Sequence, residues 1–214
     1  MDHLAKLESA YTAVVADALD QLGLRDRALD PAIRAQHDSK AVVGRALPVS
    51  VVRSQEIPDP PYEEWIRLIE AVQPGDAVVI AVEDGIVAAT WGELFSCAAV
   101  GRGARLTVSD GYIRDATLTA EVGFPVFARG CSPLDTLGRA TIASVGEDVR
   151  CGGVSVSRGD YVVADGDGVM AIPSGAVGDV LAIVEEKARL ETGGRAELLA
   201  GASVREVWDR YGVF

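Results

Sequence analysis

Hydrophobic residues at the start of the chain recur at three- and four-residue steps between Leu4 and Leu22, and Gly23 follows them. This spacing puts the apolar side chains on one face of a helix, and glycine is a common residue just past a helix end. The pattern therefore predicts one amphipathic helix over residues 4–22, with its apolar face packed into the core.

The middle of the chain alternates short apolar runs with helical patterns. We expect a strand pair broken at Pro48 in AVVGRALPVSVV, and single strands in QPGDAVVIAV, EDGIVAAT, ARLTVSD and FPVFARG. The helical patterns predict short helices at Glu63–Val72, Glu93–Val100 and Asp115–Val122. An alternation of strand, helix and strand indicates an α/β layer.

The last third of the chain begins with short strands at turn-marked intervals between residues 140 and 173, as in a small β-barrel or sheet stack. Within it, DGDG at Asp165–Gly168 predicts a hairpin turn, because no glutamate closes a twelve-residue calcium loop. Two helices, Ala176–Leu190 and Val204–Tyr211, are predicted to close the chain. We interpret the 214 residues as a single domain with interleaved α/β and β parts.

Composition and charge exclude several classes of protein. A formal net charge of -12 disfavours nucleic acid as a partner, because phosphates need clustered lysines and arginines. No apolar run reaches the length of a membrane helix, and the acidic N-terminal segment does not resemble a signal peptide. The three cysteines lack CxxC spacing, so free thiols in a reducing cytoplasm are expected. Together these observations predict a cytoplasmic protein without membrane association.

The scarcity of histidine and lysine removes whole mechanisms. The only histidines, His3 and His37, lie at the chain start and in a polar loop, so a histidine zinc site or a Ser-His-Asp triad is not expected. The only lysines, Lys6, Lys40 and Lys187, stand among polar neighbours. A Schiff-base lysine must be desolvated, so imine chemistry is not expected either.

The segment WGELFSCAAVGRGARLTVSDGYIRD, residues 91–115, carries the candidate chemistry. Gly92 allows a sharp turn into a helix whose first amides, near Leu94 and Phe95, lack intrahelical partners and can bind an anion. Further on, Arg114 can clamp a carboxylate, and Asp115 with Glu93 could hold hydrated Mg²⁺. The alternative on spacing alone is a surface salt bridge beside an ordinary helix cap.

The apolar residues of the same helix predict a face that packs into the core. The residues expected to point inward are Leu94, Phe95, Ala98 and Ala99, and Cys97 is expected to be a small core residue.

This segment, followed by GFPVFARGCSP and SRGDYVVADGDGVMAIP, resembles the RraA-like family. That family holds the regulator of ribonuclease activity A and the class II 4-hydroxy-4-methyl-2-oxoglutarate aldolases, which also decarboxylate oxaloacetate. VADALDQLG, VVGRALPV and VREVWDRYGVF fit the resemblance too, so it spans nearly the whole chain. It implies an RraA-like domain over residues 1–214, an α-β-β-α sandwich with a swivelling-domain-like core, and a homotrimer or hexamer with sites between subunits.

The resemblance also implies roles for individual residues. The pyruvyl carboxylate would lie on the amides of Leu94 and Phe95, after Gly92. Arg114 would bind the pyruvyl oxygens and stabilise an enolate, Asp115 would ligate Mg²⁺ or Mn²⁺, and Glu93 would support the metal through water. The predicted function is therefore a divalent-metal-dependent lyase that cleaves a C–C bond of a 2-oxo acid.

One position departs from the aldolase pattern. Aldolases of the family carry an acid three residues after the metal aspartate, where this chain has Leu118. Two alternatives stay open: a non-catalytic protein-binding regulator, or another metal-dependent reaction such as dehydration or isomerisation of an oxygenated acid. The proline-rich segment SQEIPDPPYEEW, residues 54–65, either shapes the distal pocket or is a surface excursion.

Overall fold

The computed structural model describes residues 3–37 and 40–212. Its helices alternate with strands over the middle of the chain and gather at both ends. They are α1 His3–Leu7, α2 Thr12–Gln21, α3 Glu63–Ala71, α4 Glu93–Gly101, α5 Ala116–Val122, α6 Val177–Leu199 and α7 Val204–Tyr211.

The strands form one large mixed sheet and a separate small hairpin. They are β1 Arg34–Ala35, β2 Val42–Arg53, β3 Asp76–Val82, β4 Ala89–Trp91, β5 Leu106–Ile113, β6 Val126–Cys131, β7 Ala140–Val145, β8 Val149–Cys151, β9 Val154–Val156, β10 Tyr161–Ala164 and β11 Val169–Ile172.

Parallel pairing of β2, β3, β5 and β6 forms the centre of the large sheet. The helices α3, α4 and α5 lie between these strands in the chain, as parallel neighbours require a crossover. The predicted strand–helix alternation is confirmed. Because all four strands point the same way, the residues that follow them gather at one edge of the sheet.

The core lies on both faces of the sheet. On one face, α3, α4 and α5 pack on the strands through side chains such as Trp65, Trp91 and Ile113. On the other face, the β8–β9 hairpin covers the sheet, and α1, α2 and α6 pack beside β10 and β11. The expected α/β fold class in a single domain, with helices on both sides of the sheet, is confirmed.

The prediction of one N-terminal helix is wrong, because the chain turns between α1 and α2. Tyr11, the residue before α2, has no side-chain hydrogen bond to the helix start. Asp165 supplies it: its carboxylate accepts from the backbone N–H of Thr12 at 2.8 Å and from the Thr12 hydroxyl at 2.6 Å. The DGDG segment is the predicted hairpin turn between β10 and β11, and it also caps α2.

We expect Asp165→Ala to lower the free energy of unfolding by about 1–2 kcal/mol, because the backbone N–H and the hydroxyl of Thr12, the first residue of α2, lose their acceptor. For a chain of this size, each kcal/mol lowers the melting temperature by about 2–4 °C. Asp167→Asn, in the same turn, is the matched control. Asp167 is exposed, and its hydrogen bonds to Asp165 and Arg34 are formed by its backbone N–H and carbonyl. Equal melting temperatures for the two variants would contradict this capping role.

Three other boundaries differ from prediction. β2 is continuous through Pro48, which lies where the antiparallel neighbour of β2 changes from β10 to β7, so its missing N–H interrupts neither ladder. β5 continues past Asp110 to Ile113, with an irregularity between Ser109 and Tyr112. The helix predicted at 176–190 extends to residue 199.

Lys187, expected among polar neighbours, is partly buried between two helices. Its side chain is 13% exposed, and its ammonium group pairs with Asp17, which joins α6 to α2. Across the described ranges, no helix is both long and apolar enough to cross a lipid bilayer.

Candidate active site

The two halves of the candidate motif meet because β4 and β5 are parallel neighbours. Trp91, the last residue of β4, pairs with Ile113, the last residue of β5. Gly92 and the Arg114–Asp115 pair therefore leave the sheet side by side. A cavity of about 330 Å³ opens at this edge. Its walls are formed by Tyr62, Trp65, Ile66, Ala89, Thr90, Trp91, Gly92, Leu94, Phe95, Arg114, Asp115, Asp135 and Thr136.

Gly92 is needed for close approach and not for an unusual backbone angle, because its backbone is extended. A Cβ atom placed on Gly92 would lie 2.8 Å from Oδ2 of Asp115 and 3.2 Å from Cγ of Arg114. The absence of a side chain at Gly92 thus creates the space that the Arg114–Asp115 pair occupies.

Two consecutive hydrogen bonds hold the start of α4 in place. The Trp91 indole N–H donates to the Ser96 hydroxyl at 2.9 Å, and that hydroxyl donates to the carbonyl of Gly92 at 3.0 Å. The first amides of a helix, here including those of Leu94 and Phe95, have no intrahelical acceptor, and Gly92 at the cap position supplies no side chain to replace it. Amides in that position, at the positive end of the helix dipole, favour a bound anion such as a carboxylate.

Arg114 is held in place by a residue that the sequence reasoning missed. Its guanidinium forms a charged hydrogen bond to Asp135, and its Nε lies 3.5 Å from Oδ2 of Asp115. Asp135 lies in the loop that follows β6, the next parallel strand after β5. The sequence does contain one indication of Asp135: it follows a predicted parallel strand, and residues that follow parallel strands meet at the same edge of the sheet.

The surroundings of Asp135 keep it ionised. Burial raises the pKa of its carboxyl, but the Leu137 N–H, the Arg114 guanidinium and the Tyr62 hydroxyl outweigh burial and hold the pKa below its ordinary value of 3.8. Burial raises the pKa of the Tyr62 phenol, and the Asp135 carboxylate raises it further. Tyr62 therefore stays protonated at neutral pH and donates to Asp135.

We expect Asp135→Asn to lower the free energy of unfolding by about 1 kcal/mol at pH 7, because charged hydrogen bonds to Arg114 and Leu137 are lost. The pKa of Asp135 is lower in the folded than in the unfolded chain, so its stabilisation is present above about pH 3.8 and is lost as the pH falls further. Urea unfolding at pH 7 and pH 3 measures this difference.

The control for that measurement is Asp209→Asn, whose carboxylate is exposed and forms a long ion pair with Arg205 on α7. It is expected to unfold like the unmodified chain at both pH values. A stability difference for Asp135→Asn that persists unchanged at pH 3 would contradict the assignment.

Two residues of the cavity wall adopt the left-handed backbone conformation, which residues other than glycine rarely adopt. Asp115 has φ = 56° and precedes α5, and Tyr62 has φ = 66° and precedes α3. Among the described residues these are the only non-glycine residues with positive φ. Such conformations cost about 1–3 kcal/mol each and cluster at functional sites, where surrounding structure enforces them.

The sequence profile of the RraA-like family, described as aldolase/RraA, matches residues 12–171, well over half of the chain. The chain belongs to the RraA-like family. The resemblance drawn from its motifs is thereby confirmed.

Individual relatives agree with this family. A protein of Halalkalibacterium halodurans, provisionally named 4-hydroxy-4-methyl-2-oxoglutarate aldolase, is 29% identical over 187 residues, which are 87% of this chain and 84% of that protein. The crystal structure of Streptomyces coelicolor RraAS2, an unusual member of the RNase ES inhibitor RraA protein family, matches with a TM-score of 0.83 and 25% identity over 92% of this chain and 98% of that one. An uncharacterised protein of Pseudomonas syringae, 24% identical, has the same fold with a TM-score of 0.85 over 96% of each chain.

Two assignments on helix α4 of this RraA-like chain are wrong. Leu94 was expected to point inward but is 76% exposed, at the rim of the cavity. Cys97 was expected in the core but is exposed, and its thiol donates to Glu93 Oε1 at 3.3 Å. The Glu93 hydrogen bond, followed by burial, raises the pKa of the Cys97 thiol. Phe95 and Ala99 do face the core, as predicted.

The site fits a hydrated metal ion better than a fully protein-ligated one. The described residues contain no cluster of three or more His, Cys, Asp or Glu side chains that could hold a metal. Mg²⁺ keeps several waters and takes one or two carboxylates, and Mn²⁺ also prefers carboxylates and water. Asp115, 41% exposed at the cavity wall and only loosely paired with Arg114, supplies one such carboxylate.

Leu118, where family aldolases carry an acid, is 51% exposed on α5 and is absent from the cavity walls. The acids that line the cavity are Asp115 and Asp135, whereas Glu93, predicted to support a metal through water, is not among the lining residues. The loss of an acid at position 118 therefore leaves the Arg114 anchorage intact.

Proposed function

We propose that this RraA-like protein is a divalent-metal-dependent lyase that cleaves the C3–C4 bond of a 2-oxo acid. The observation that carries the proposal is the convergence, in one cavity, of an anchored arginine, a half-exposed aspartate and a helix N-terminus without a side-chain cap. Each group suits one part of a 2-oxo carboxylate. The aldolase name carried by the Halalkalibacterium halodurans relative supports the same class of reaction.

In this proposal the chain binds and orients the reacting end of the substrate. The amides of Leu94 and Phe95 hold the C1 carboxylate, and Arg114 donates to the 2-oxo oxygen. Asp135 keeps the guanidinium in that orientation, so no side-chain reorganisation is needed when charge develops on the oxygen. Asp115 would hold Mg²⁺ or Mn²⁺, with Glu93 acting through water, and the ion would supply Lewis-acid polarisation of the same oxygen.

The bond changes follow from that placement. In the retro-aldol direction, the C4 hydroxyl loses its proton, a C4 carbonyl forms, and the C3–C4 electron pair moves onto C3 and the 2-oxo oxygen as pyruvate enolate. C3 then takes a proton to give pyruvate. In the decarboxylating direction, the C4 carboxylate leaves as CO₂ and the same enolate results. Arg114 stabilises the negative charge in both cases.

The test is pyruvate release from a panel of 2-oxo acids, assayed with Mg²⁺, with Mn²⁺ and with EDTA. The panel includes 4-hydroxy-4-methyl-2-oxoglutarate, oxaloacetate and 4-hydroxy-2-oxo acids without a second carboxylate. We expect release that depends on the metal for at least one member of the panel. Rates equal to the metal-independent background for every member would overturn the proposal.

A homo-oligomer with sites between subunits, a trimer or a hexamer, is part of this proposal. Leu94 is 76% exposed at the cavity rim, and Leu118 is 51% exposed at the start of the neighbouring helix. Exposed leucines, one of them at the rim of an open cavity, are suited to burial against a second copy of the chain. Light scattering coupled to size exclusion measures the mass, and a monomer at assay concentration would contradict this part.

The same exposed leucines also support the second candidate, a protein-binding regulator. The likeness to Streptomyces coelicolor RraAS2, which is related to an RNase ES inhibitor, favours it at the level of the family. Co-elution of a ribonuclease with the purified chain, abolished by Leu118→Asp, together with no metal-dependent pyruvate release, would favour the regulator over the lyase.

A further inference from the structure

The candidate cavity has two chemically different walls. Arg114, Asp115 and Asp135 form the polar wall, at the carboxyl edge of the sheet. The opposite wall, which we call the apolar wall, consists of Tyr62, Trp65, Ile66, Leu94 and Phe95 from the starts of α3 and α4. Two of these five, Tyr62 and Trp65, belong to the proline-rich segment at 54–65, and Ile66 follows it directly, so the end of this segment forms part of the pocket wall.

Aromatic packing fixes the apolar wall. The rings of Trp65 and Phe95 stack at a centroid distance of 5.9 Å, and Phe95 also contacts Trp91 at 5.7 Å. Trp65 is 5% exposed, so its ring is held by the core, whereas Ile66 is 48% exposed beside it. The wall thus presents a rigid aromatic base and an aliphatic edge to whatever enters the cavity.

The charges that this chain itself brings to the cavity leave one place for a substrate carboxylate. Arg114 is the only cationic side chain among the described residues that line the cavity, and it is already paired with Asp135. The adjoining cleft, which shares Tyr62 and Trp65, is lined by the acids Glu56, Glu63 and Glu64. A second carboxylate on the substrate would therefore be desolvated against apolar and acidic neighbours, which is costly without a partner.

We propose that the substrate class of this site is a 2-oxo acid with a single carboxylate and an apolar, ring-sized group on C4. This inference rests on the proposed function, since the polar wall holds the 2-oxo carboxylate. The C4 group lies on the apolar wall against Trp65, Ile66 and Phe95. A cavity of about 330 Å³ is large enough for such a group. Retro-aldol cleavage would give pyruvate and an apolar, ring-bearing aldehyde.

The test compares two ligands that lack the C4 hydroxyl and so undergo no retro-aldol cleavage. 4-Phenyl-2-oxobutanoate and 2-oxoglutarate differ only in a phenyl or a carboxylate group on C4. Binding with Mg²⁺ is followed by the fluorescence of Trp65 and Trp91, which line the cavity. We expect the phenyl compound to bind at least about tenfold more tightly, because it buries apolar area that the carboxylate cannot. Equal affinity, tighter 2-oxoglutarate binding or no binding of either would overturn the inference.

A charge placed on the apolar wall should reverse the preference. Ile66→Arg is expected to shift the affinity ratio of the two ligands about tenfold toward 2-oxoglutarate, and the half-exposed position accommodates the longer side chain. Val100→Arg is the matched control, because Val100 is 51% exposed on α4 and does not line the cavity. An unchanged ratio in Ile66→Arg, or the same shift in Val100→Arg, would contradict the role of the wall.

Measurements of turnover distinguish a failure of this inference from a failure of the proposed function. The matched substrates are 4-hydroxy-4-phenyl-2-oxobutanoate and 4-hydroxy-2-oxoglutarate. Tight phenyl-ligand binding without pyruvate release from either substrate would support the substrate class and overturn the lyase. Faster metal-dependent release from 4-hydroxy-2-oxoglutarate would support the lyase and overturn the substrate class.

Discussion

Replacing Arg114 with alanine is expected to reduce kcat/KM for pyruvate release by at least about 10²–10³-fold, the cost of losing a positioned donor to a developing oxyanion. The guanidinium is the only cation on the described walls of the cavity, and Asp135 holds it toward the carboxyl edge of the sheet. Arg114→Lys is also expected to be severely impaired, because a lysine ammonium lacks the fork that can serve Asp135 and the substrate together.

The control for this comparison is Arg67→Ala. Arg67 is an exposed arginine on α3 that pairs with Glu63 and Glu64 on the same helix, and it does not line the cavity. It should keep kcat/KM within about twofold of the unmodified chain, as expected for an exposed ion pair. Comparable rates in Arg114→Ala and Arg67→Ala, with both variants folded, would refute the role assigned to Arg114.

Gly92→Ala is expected to reduce activity by about 10²-fold, since small displacements of positioned groups have effects of that size. The new Cβ would lie 2.8 Å from the Asp115 carboxylate and 3.2 Å from the Arg114 side chain, so both would have to move. The backbone of Gly92 is extended, which alanine also adopts, so the fold should be retained. Steady-state kinetics and a melting curve measure the two effects separately.

Gly101→Ala provides the matched control for the glycine substitution. Gly101 lies at the other end of α4, and a Cβ atom there would meet nothing within 4 Å. This substitution is expected to leave activity unchanged and to raise stability slightly, because alanine favours the helical conformation. Full activity in Gly92→Ala would show that the Arg114–Asp115 pair can shift without consequence, contrary to this account.

The parts of the site that could be predicted from sequence are those set by local spacing. In the structure Gly92 directly follows β4 and Arg114 directly follows its parallel neighbour β5, and the two predicted strands end one and three residues before these observed ends. Asp135 carried a weaker signal, its place in the loop after the parallel strand β6, because strand placement does not show whether that loop reaches Arg114. Its role depends on the path of that loop, which leaves no periodic signal.

The errors in the fold have a similar origin. The apolar spacing of residues 4–22 is helical throughout, yet Asp165, 153 residues after Thr12, starts a new helix there. On α4, nine residues give too few turns for the apolar pattern to distinguish the core face from the cavity rim, and Leu94 and Cys97 were assigned to the wrong side. Contacts between residues distant in sequence thus determine where the N-terminal helix is divided and which face of α4 is buried.

Oxalate binding tests the central claim most directly, because planar oxalate resembles the pyruvate enolate that the cavity is proposed to stabilise. Titration of the unmodified chain and of Arg114→Ala, followed by tryptophan fluorescence with Mg²⁺ or with EDTA, gives the affinity in each state. We predict tight binding only when both Mg²⁺ and Arg114 are present, with a loss of at least about 10²-fold when either is removed. Binding that is equal in all four conditions, or undetectable in all four, would contradict the account.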